Sequence, residues 1–167
     1  MAFPTGSMIG ADLQNPSSTA LFTLNTPVMG SDNYRGQYVI ATGTLTTGTV
    51  VYIASGGTAN ALTTDQVASD ATGLDLGFVQ FTMTQGQYGF VAKSGTNLYV
   101  LCTGTVPGGA ALGFAAAAGT LQTAGAVAVG NSAAGIFVTT SASTATASVA
   151  TAIVTFPRAV ASAAALS

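Results

Sequence analysis

Where this chain shows a clear hydrophobic pattern, apolar and polar residues alternate with a period of two. In Gly77–Thr84, Val79, Phe81 and Met83 fall on one side, with Gln80, Thr82 and Thr84 on the other. That alternation predicts a half-buried strand of an antiparallel sheet. The β-branched and aromatic runs Gln37–Ala41 and Thr49–Ala54 predict two more strands, on either side of the stretch TGTLTTG. Tyr88–Ala92 and Asn97–Thr103 are also strand-like, entered through the turns Gln85-Gly86-Gln87 and Lys93-Ser94-Gly95. Leu21–Met29 reads as a strand closed by Pro27, and SDNYRG after it as a turn. Gly135–Thr140 and Val149–Phe156 complete the set, the second ended by Pro157. Helix is expected only as short pieces at Thr64–Ser69 and Ala115–Ala118, because flanking glycines prevent extension. The expected class is all-β.

Three regions follow from the same reading. Residues 1–20 are rich in Gly, Pro, Ser and Asn and carry Phe3, Met8, Ile9 and Leu13 without a period, as an extended N-terminal arm would. Residues 21–160 form a single β domain, and 161–167 a flexible tail. Within the domain, Tyr38–Gly48 (YVIATGTLTTG) is echoed by Tyr99–Gly109 (YVLCTGTVPGG), with six of eleven positions identical. Each copy is an apolar strand, a TGT step and a turn ending in Gly. An internal pseudo-repeat is therefore expected.

Composition narrows the chemistry. The 167 residues include five Asp, three Lys or Arg, one Cys, and no His, Glu or Trp. Without His, the commonest general base and metal ligand is missing. One cysteine allows neither an intramolecular disulfide nor a thiolate zinc site. Three cations cannot neutralise a run of phosphates, so no nucleic-acid partner is expected. Asp65, Asp70 and Asp75 recur every five residues, which is not the alternating spacing of a calcium loop. They read as turn and cap acceptors. Neither an enzyme nor a cofactor is expected. Residues 94–157 carry no charge, yet Gly, Ser, Thr, Asn and Pro interrupt every apolar run, so no membrane span is expected. The first residues lack the basic and apolar blocks of a signal peptide, consistent with synthesis in the cytoplasm. A surface so poor in charge suits a protein covered by neighbours, because interface cores are depleted of charge.

Gly48-Thr49-Val50-Val51-Tyr52-Ile53, then Ala61-Leu62-Thr63-Thr64, then Leu76-Gly77-Phe78-Val79 resembles the capsid decoration (cement) proteins of tailed bacteriophages. A partial second copy runs from Gly109-Ala110-Ala111-Leu112 to Gly119-Thr120-Leu121-Gln122-Thr123, and Thr155-Phe156-Pro157-Arg158 stands where a closing strand would. The resemblance covers residues 36–157. It departs from the pattern in lacking L-G-x-V after Thr123 and in the Ala/Thr-rich Ser141–Ser148. It implies a small antiparallel β-barrel or sandwich that forms a homotrimer on the capsid exterior, bound to the major capsid protein, with no catalysis.

Few side chains stand out as candidate contacts. Phe3, Met8, Ile9 and Leu13 suit anchors by which an arm grips a neighbour. Tyr34 and Arg35 belong to the residue types enriched at interface hot spots. Cys102 alternates with Leu98 and Val100 and reads as a buried small hydrophobe. Another reading stays open: a phage fibre or surface adhesin domain binding a host glycan, for which Tyr34 with Asp32 and Asn33 is the one local cluster. A Thr-rich ice-binding solenoid is disfavoured because TGT and TLTT recur without fixed spacing.

Overall fold

The β-branched runs do form strands, but their boundaries and partners depend on where Gly, Asn and Pro fall. The computed structural model describes residues 14–30, 33–69, 73–126 and 132–160. Its strands are β1 (Pro27–Met29), β2 (Arg35–Ala41), β3 (Val50–Ile53), β4 (Thr58–Ala61), β5 (Leu76–Val79), β6 (Tyr88–Val106), β7 (Leu112–Phe114), β8 (Leu121–Thr123), β9 (Ser132–Val138) and β10 (Ala142–Val160). Among the described residues a single α-helix, α1 (Thr64–Ser69), lies between β4 and β5. Its start is fixed by a reciprocal cap: the Thr63 N–H donates to Gln66 Oε1, and the Gln66 N–H to Thr63 Oγ1. The protein is nearly all β.

All ten strands join one sheet, and their pairing traces two closed circuits. In the first, β2 pairs with β4, β4 with β3, β3 with β5, β5 with β6, and β6 with β2. In the second, β6 pairs with β10, β10 with β9, β9 with β7, β7 with β8, and β8 returns to β6. The nineteen-residue β6 belongs to both. The sheet is mixed rather than purely antiparallel, since β2–β4 and β6–β8 are parallel. Each parallel pair has the same origin. The loop after β2 carries β3 one place beyond the neighbouring position, and β4 then fills the gap running in the direction of β2.

Both circuits use one register. Tyr38 pairs with Phe90 and Ile40 with Tyr88; sixty-one residues further on, Tyr99 pairs with Thr151 and Leu101 with Val149. A parallel step follows in each circuit, Ala41↔Ala59 in the first and Cys102↔Leu121 in the second, where the partner comes one residue later. Tyr38–Gly48 and Tyr99–Gly109 have this same separation in sequence.

Burial follows from the circuits. One cluster, Val39, Ala41, Leu45, Val51, Ile53, Ala59, Val79, Met83 and Val91, gathers side chains of the first circuit alone. The intervening residues of the same strands, such as Tyr38, Val50, Phe78 and Phe90, join Val100, Cys102, Leu112, Phe114, Leu121 and Val138 of the second circuit in a larger core. β2, β3 and β5 therefore bury residues on both faces, and all four residues of β5 are buried. Tyr38 is the hub: Phe22 meets its ring edge-on at 5.3 Å between centroids, Phe90 lies at 5.0 Å and Tyr88 stacks at 6.1 Å. Its hydroxyl accepts the Leu21 N–H at 3.0 Å.

Several expected boundaries are corrected. Pro27 opens a strand instead of closing one, because β1 is an edge strand, where a missing N–H costs no ladder bond. The alternation read in Gly77–Thr84 stops at Val79. Gln80 is buried, and its amide donates to the Tyr99 carbonyl at 3.2 Å while accepting the Tyr99 N–H at 2.9 Å. Lys93-Ser94-Gly95 is not a turn but the point where β6 passes between circuits; Gly95 and Asn97 adopt φ of 155° and 57° there, with a shift in the β10 register between Leu98 and Gly95. Pro157 does not end β10, which continues to Val160 through a bulge. Ala115–Ala118 is not helical but leads into a turn over residues 117–120, closed by the Thr120 N–H donating to the Ala117 carbonyl. The Ser141–Ser148 stretch lies largely within β10, whose pairing with β6 shifts between Thr144 and Ser148. Residues 1–13, which hold most of the expected arm, and 161–167 lie outside the described residues. Of 14–20, Ser17 bridges to Tyr88 on β6 with two backbone bonds of 2.8 Å.

Candidate docking site

The bulge in β10 builds the most distinctive surface. Ile136 pairs with Val154 and Ala134 with Arg158, so Thr155, Phe156 and Pro157 together oppose Gly135. Gly135 makes this possible: its φ is +79°, and a Cβ there would sit 2.4 Å from the Thr155 carbonyl oxygen. Phe156 itself has φ of +44°, a region that bulky residues avoid. The strained backbone turns its ring outward, where it remains 49% exposed.

Arg35 approaches that ring from the start of β2. Its guanidinium carbon lies 5.5 Å from the Phe156 centroid, within cation–π range. On one side of this stack is a cleft of about 560 Å³, lined among others by Met29, Asn33, Ser94, Thr96 and Ile153. A second cleft of about 360 Å³ lies against Pro27, Met29, Gln37 and Lys93. Met29, Arg35 and Phe156 line both. Met29 is 62% exposed and Ile153 41%, and Phe137, paired with Ile153 across the β9–β10 ladder, is 55% exposed. Four large apolar side chains are thus exposed around the Arg35–Phe156 stack, with Lys93 at the smaller cleft. Exposed apolar side chains gathered in this way make the region a candidate for association.

Tyr34 lies beneath this surface, not on it. It is only 5% exposed, and its ring fills the space where a Cβ on Gly36 would come within 2.8 Å of its hydroxyl. Burial pushes its phenol above the usual tyrosine value. The buried ring is unavailable for stacking on a sugar; Asn33 is exposed, and Asp32 lies outside the described residues. Phe3, Met8, Ile9 and Leu13 are also outside the described residues. The structure thus brings Arg35 to the patch and sets Tyr34 under it. Met29, Phe137, Ile153 and Phe156 were not singled out in the sequence. The available signal was Pro157 inside a strand pattern, which is confined to edges and bulges.

Reactive chemistry is sparse among the described residues. No group of three or more His, Cys, Asp or Glu side chains could hold a metal ion. Cys102 is free and fully buried, with its thiol pushed up to about 11 by desolvation. No helix there is long and apolar enough to cross a membrane. Among the described residues these features define a nearly all-β protein with a group of exposed large apolar side chains and no assembled cluster of metal-ligating groups. The chain matches no protein-family model, and no curated protein matches it in sequence.

One ionisable group beside the smaller cleft yields a measurable effect. The Lys93 side chain is 13% exposed and pairs with Asp75, itself 47% exposed. Burial lowers the Lys93 ammonium to about 8 from an ordinary 10.5. Between those values the unfolded chain holds a proton that the folded chain has released, so stability rises with pH in that window. Cys102 acts in the opposite sense, but only above its ordinary value of 9.0. Urea unfolding should therefore show a gain of about 1 kcal/mol between pH 8 and 9. Lys93→Met is expected to flatten it; an unchanged slope in that variant would assign the effect elsewhere.

Proposed function

We propose that this chain is a structural virion protein: a decoration protein that binds the outer surface of a tailed-phage head and stabilises it without catalysis. The observation that carries this reading is the combination of a charge-depleted chain with one gathered apolar patch around Arg35 and Phe156. Such a surface gains by being covered, since charge depletion and apolar anchors characterise the centre of interfaces. The resemblance of Gly48–Ile53, Ala61–Thr64 and Leu76–Val79 to cement proteins supplies the kind of assembly. On this reading the two pairing circuits are two small fused barrels, the chain is a homotrimer, and its partner is the major capsid protein. Closed pairing suits a long-lived particle surface, because it leaves few open strand edges to template aggregation.

Heads purified without this chain test the proposal. They are expected to release DNA at a lower temperature than complete heads, and adding the purified full-length chain should restore stability in a saturable manner. Failure of the chain to bind such heads at micromolar concentration would sink the decoration reading.

A further inference from the structure

The groove at Arg35 and Phe156 has an opening, a chemistry and a direction that together point to an occupant. We propose that it receives the N-terminal segment, residues 1–13, of a second copy of this chain. The inference deepens the decoration reading, in which the chain associates with itself, and rests on it for the expectation of an assembly.

Charge is the first argument. Among the described residues lining the larger cleft, Arg35 alone is charged. Within MAFPTGSMIGADL the only charged side chain is Asp12. In a chain with eight charged side chains, the one cation among the described residues of a groove lined by both polar and apolar groups would meet the one anionic side chain of the segment. The apolar partners also match, with Met8, Ile9 and Leu13 close to Asp12 in sequence and Met29, Ile153 and Phe156 around Arg35. β1, which borders the groove through Met29, is an edge strand with one side unpaired among the described strands, the usual receptor for an extended segment.

Direction selects a second copy over the same one. Ser17 is tied to Tyr88, six positions before Ser94 of the groove, or roughly 20 Å along β6. Thirteen residues reach roughly 45 Å when extended, so length alone does not decide. Between Tyr88 and Ser94, however, β6 is already paired, with β2 on one side and with β5 at Val91 and Ala92 on the other. A segment preceding Ser17 therefore finds no free edge along β6 that leads to the groove. A neighbouring copy offers the groove without that obstruction, and reciprocal exchange closes a symmetric oligomer.

A charge-swap series in the full-length chain tests this by sedimentation velocity from about 1 to 100 µM. Wild type is expected to self-associate. Arg35→Asp and Asp12→Arg should each weaken association roughly tenfold or more, because like charges then face each other. The double variant should recover it, and so should an equimolar mixture of the two single variants, which only an exchange between copies allows. A monomeric wild type, a double variant no better than the singles, or a mixture without recovery overturns the proposal. A chain that fails these tests yet still binds phage heads would leave the decoration reading standing and remove only the exchange.

Discussion

Gly48→Ala is expected to destabilise the protein by about 3 kcal/mol or more, read as a fall in the urea midpoint. Gly48 has φ of +86°, where an L side chain is strained by roughly 1–2 kcal/mol. A Cβ there would also lie 2.7 Å from the Leu101 nitrogen and 2.9 Å from the Val100 carbonyl carbon. These are backbone atoms of β6, which cannot swing aside as a side chain would. Gly48 moreover donates its N–H to the Val79 carbonyl at 2.7 Å and accepts the Leu101 N–H at 2.8 Å. It therefore joins β5 of the first circuit to the half of β6 that belongs to the second. Moving β6 to admit a methyl group would disturb both. Gly86→Ala is the control, with φ of +81° and nothing within 4 Å of the added carbon; it should cost only about 1 kcal/mol. Equal losses in the two variants would show that backbone conformation, not close approach, sets the effect.

Tyr38→Ala should be as damaging, at about 3–5 kcal/mol. The side chain is 2% exposed and sits among Phe22, Tyr88 and Phe90. Truncation leaves a large void where four rings meet, and a framework tied by ladders on both sides of β2 cannot collapse to fill it. Tyr38→Phe keeps the ring and loses only the bond from the Leu21 N–H, which is worth about 1 kcal/mol. A ratio near unity between the two variants would mean that the hydroxyl, and not the packing, anchors residues 21–24 to the sheet.

The strand content was readable because β-branched and aromatic runs are local signals. Val39, Val51 and Val91 lie in segments where period and propensity agree. The short helix at Thr64–Ser69 was also readable. Pairing was not: the parallel contact of Ile40 with Thr58 depends on where an intervening hairpin is placed, which no local pattern encodes. Gly95 and Asn97 illustrate a related ambiguity, since residues that favour left-handed backbone serve a turn or a bulge equally well. The exposed apolar patch was half visible. Arg35 stands out as a lone cation, whereas Phe156 reads as a strand end before proline and becomes an anchor only because Gly135 lets β10 bulge over it. Tyr34 shows the opposite error: an aromatic in a turn suggests an exposed contact, yet the absence of a side chain at Gly36 lets the ring fold inward.

The central claim is that this chain is a stoichiometric part of a virion. Sedimenting native lysate and counting the chain per particle by quantitative mass spectrometry addresses it most directly. The account predicts that it travels with particles of megadalton size in hundreds of copies each. Tens of copies would contradict the decoration role and favour a fibre, and complete absence from particles would contradict a virion role altogether.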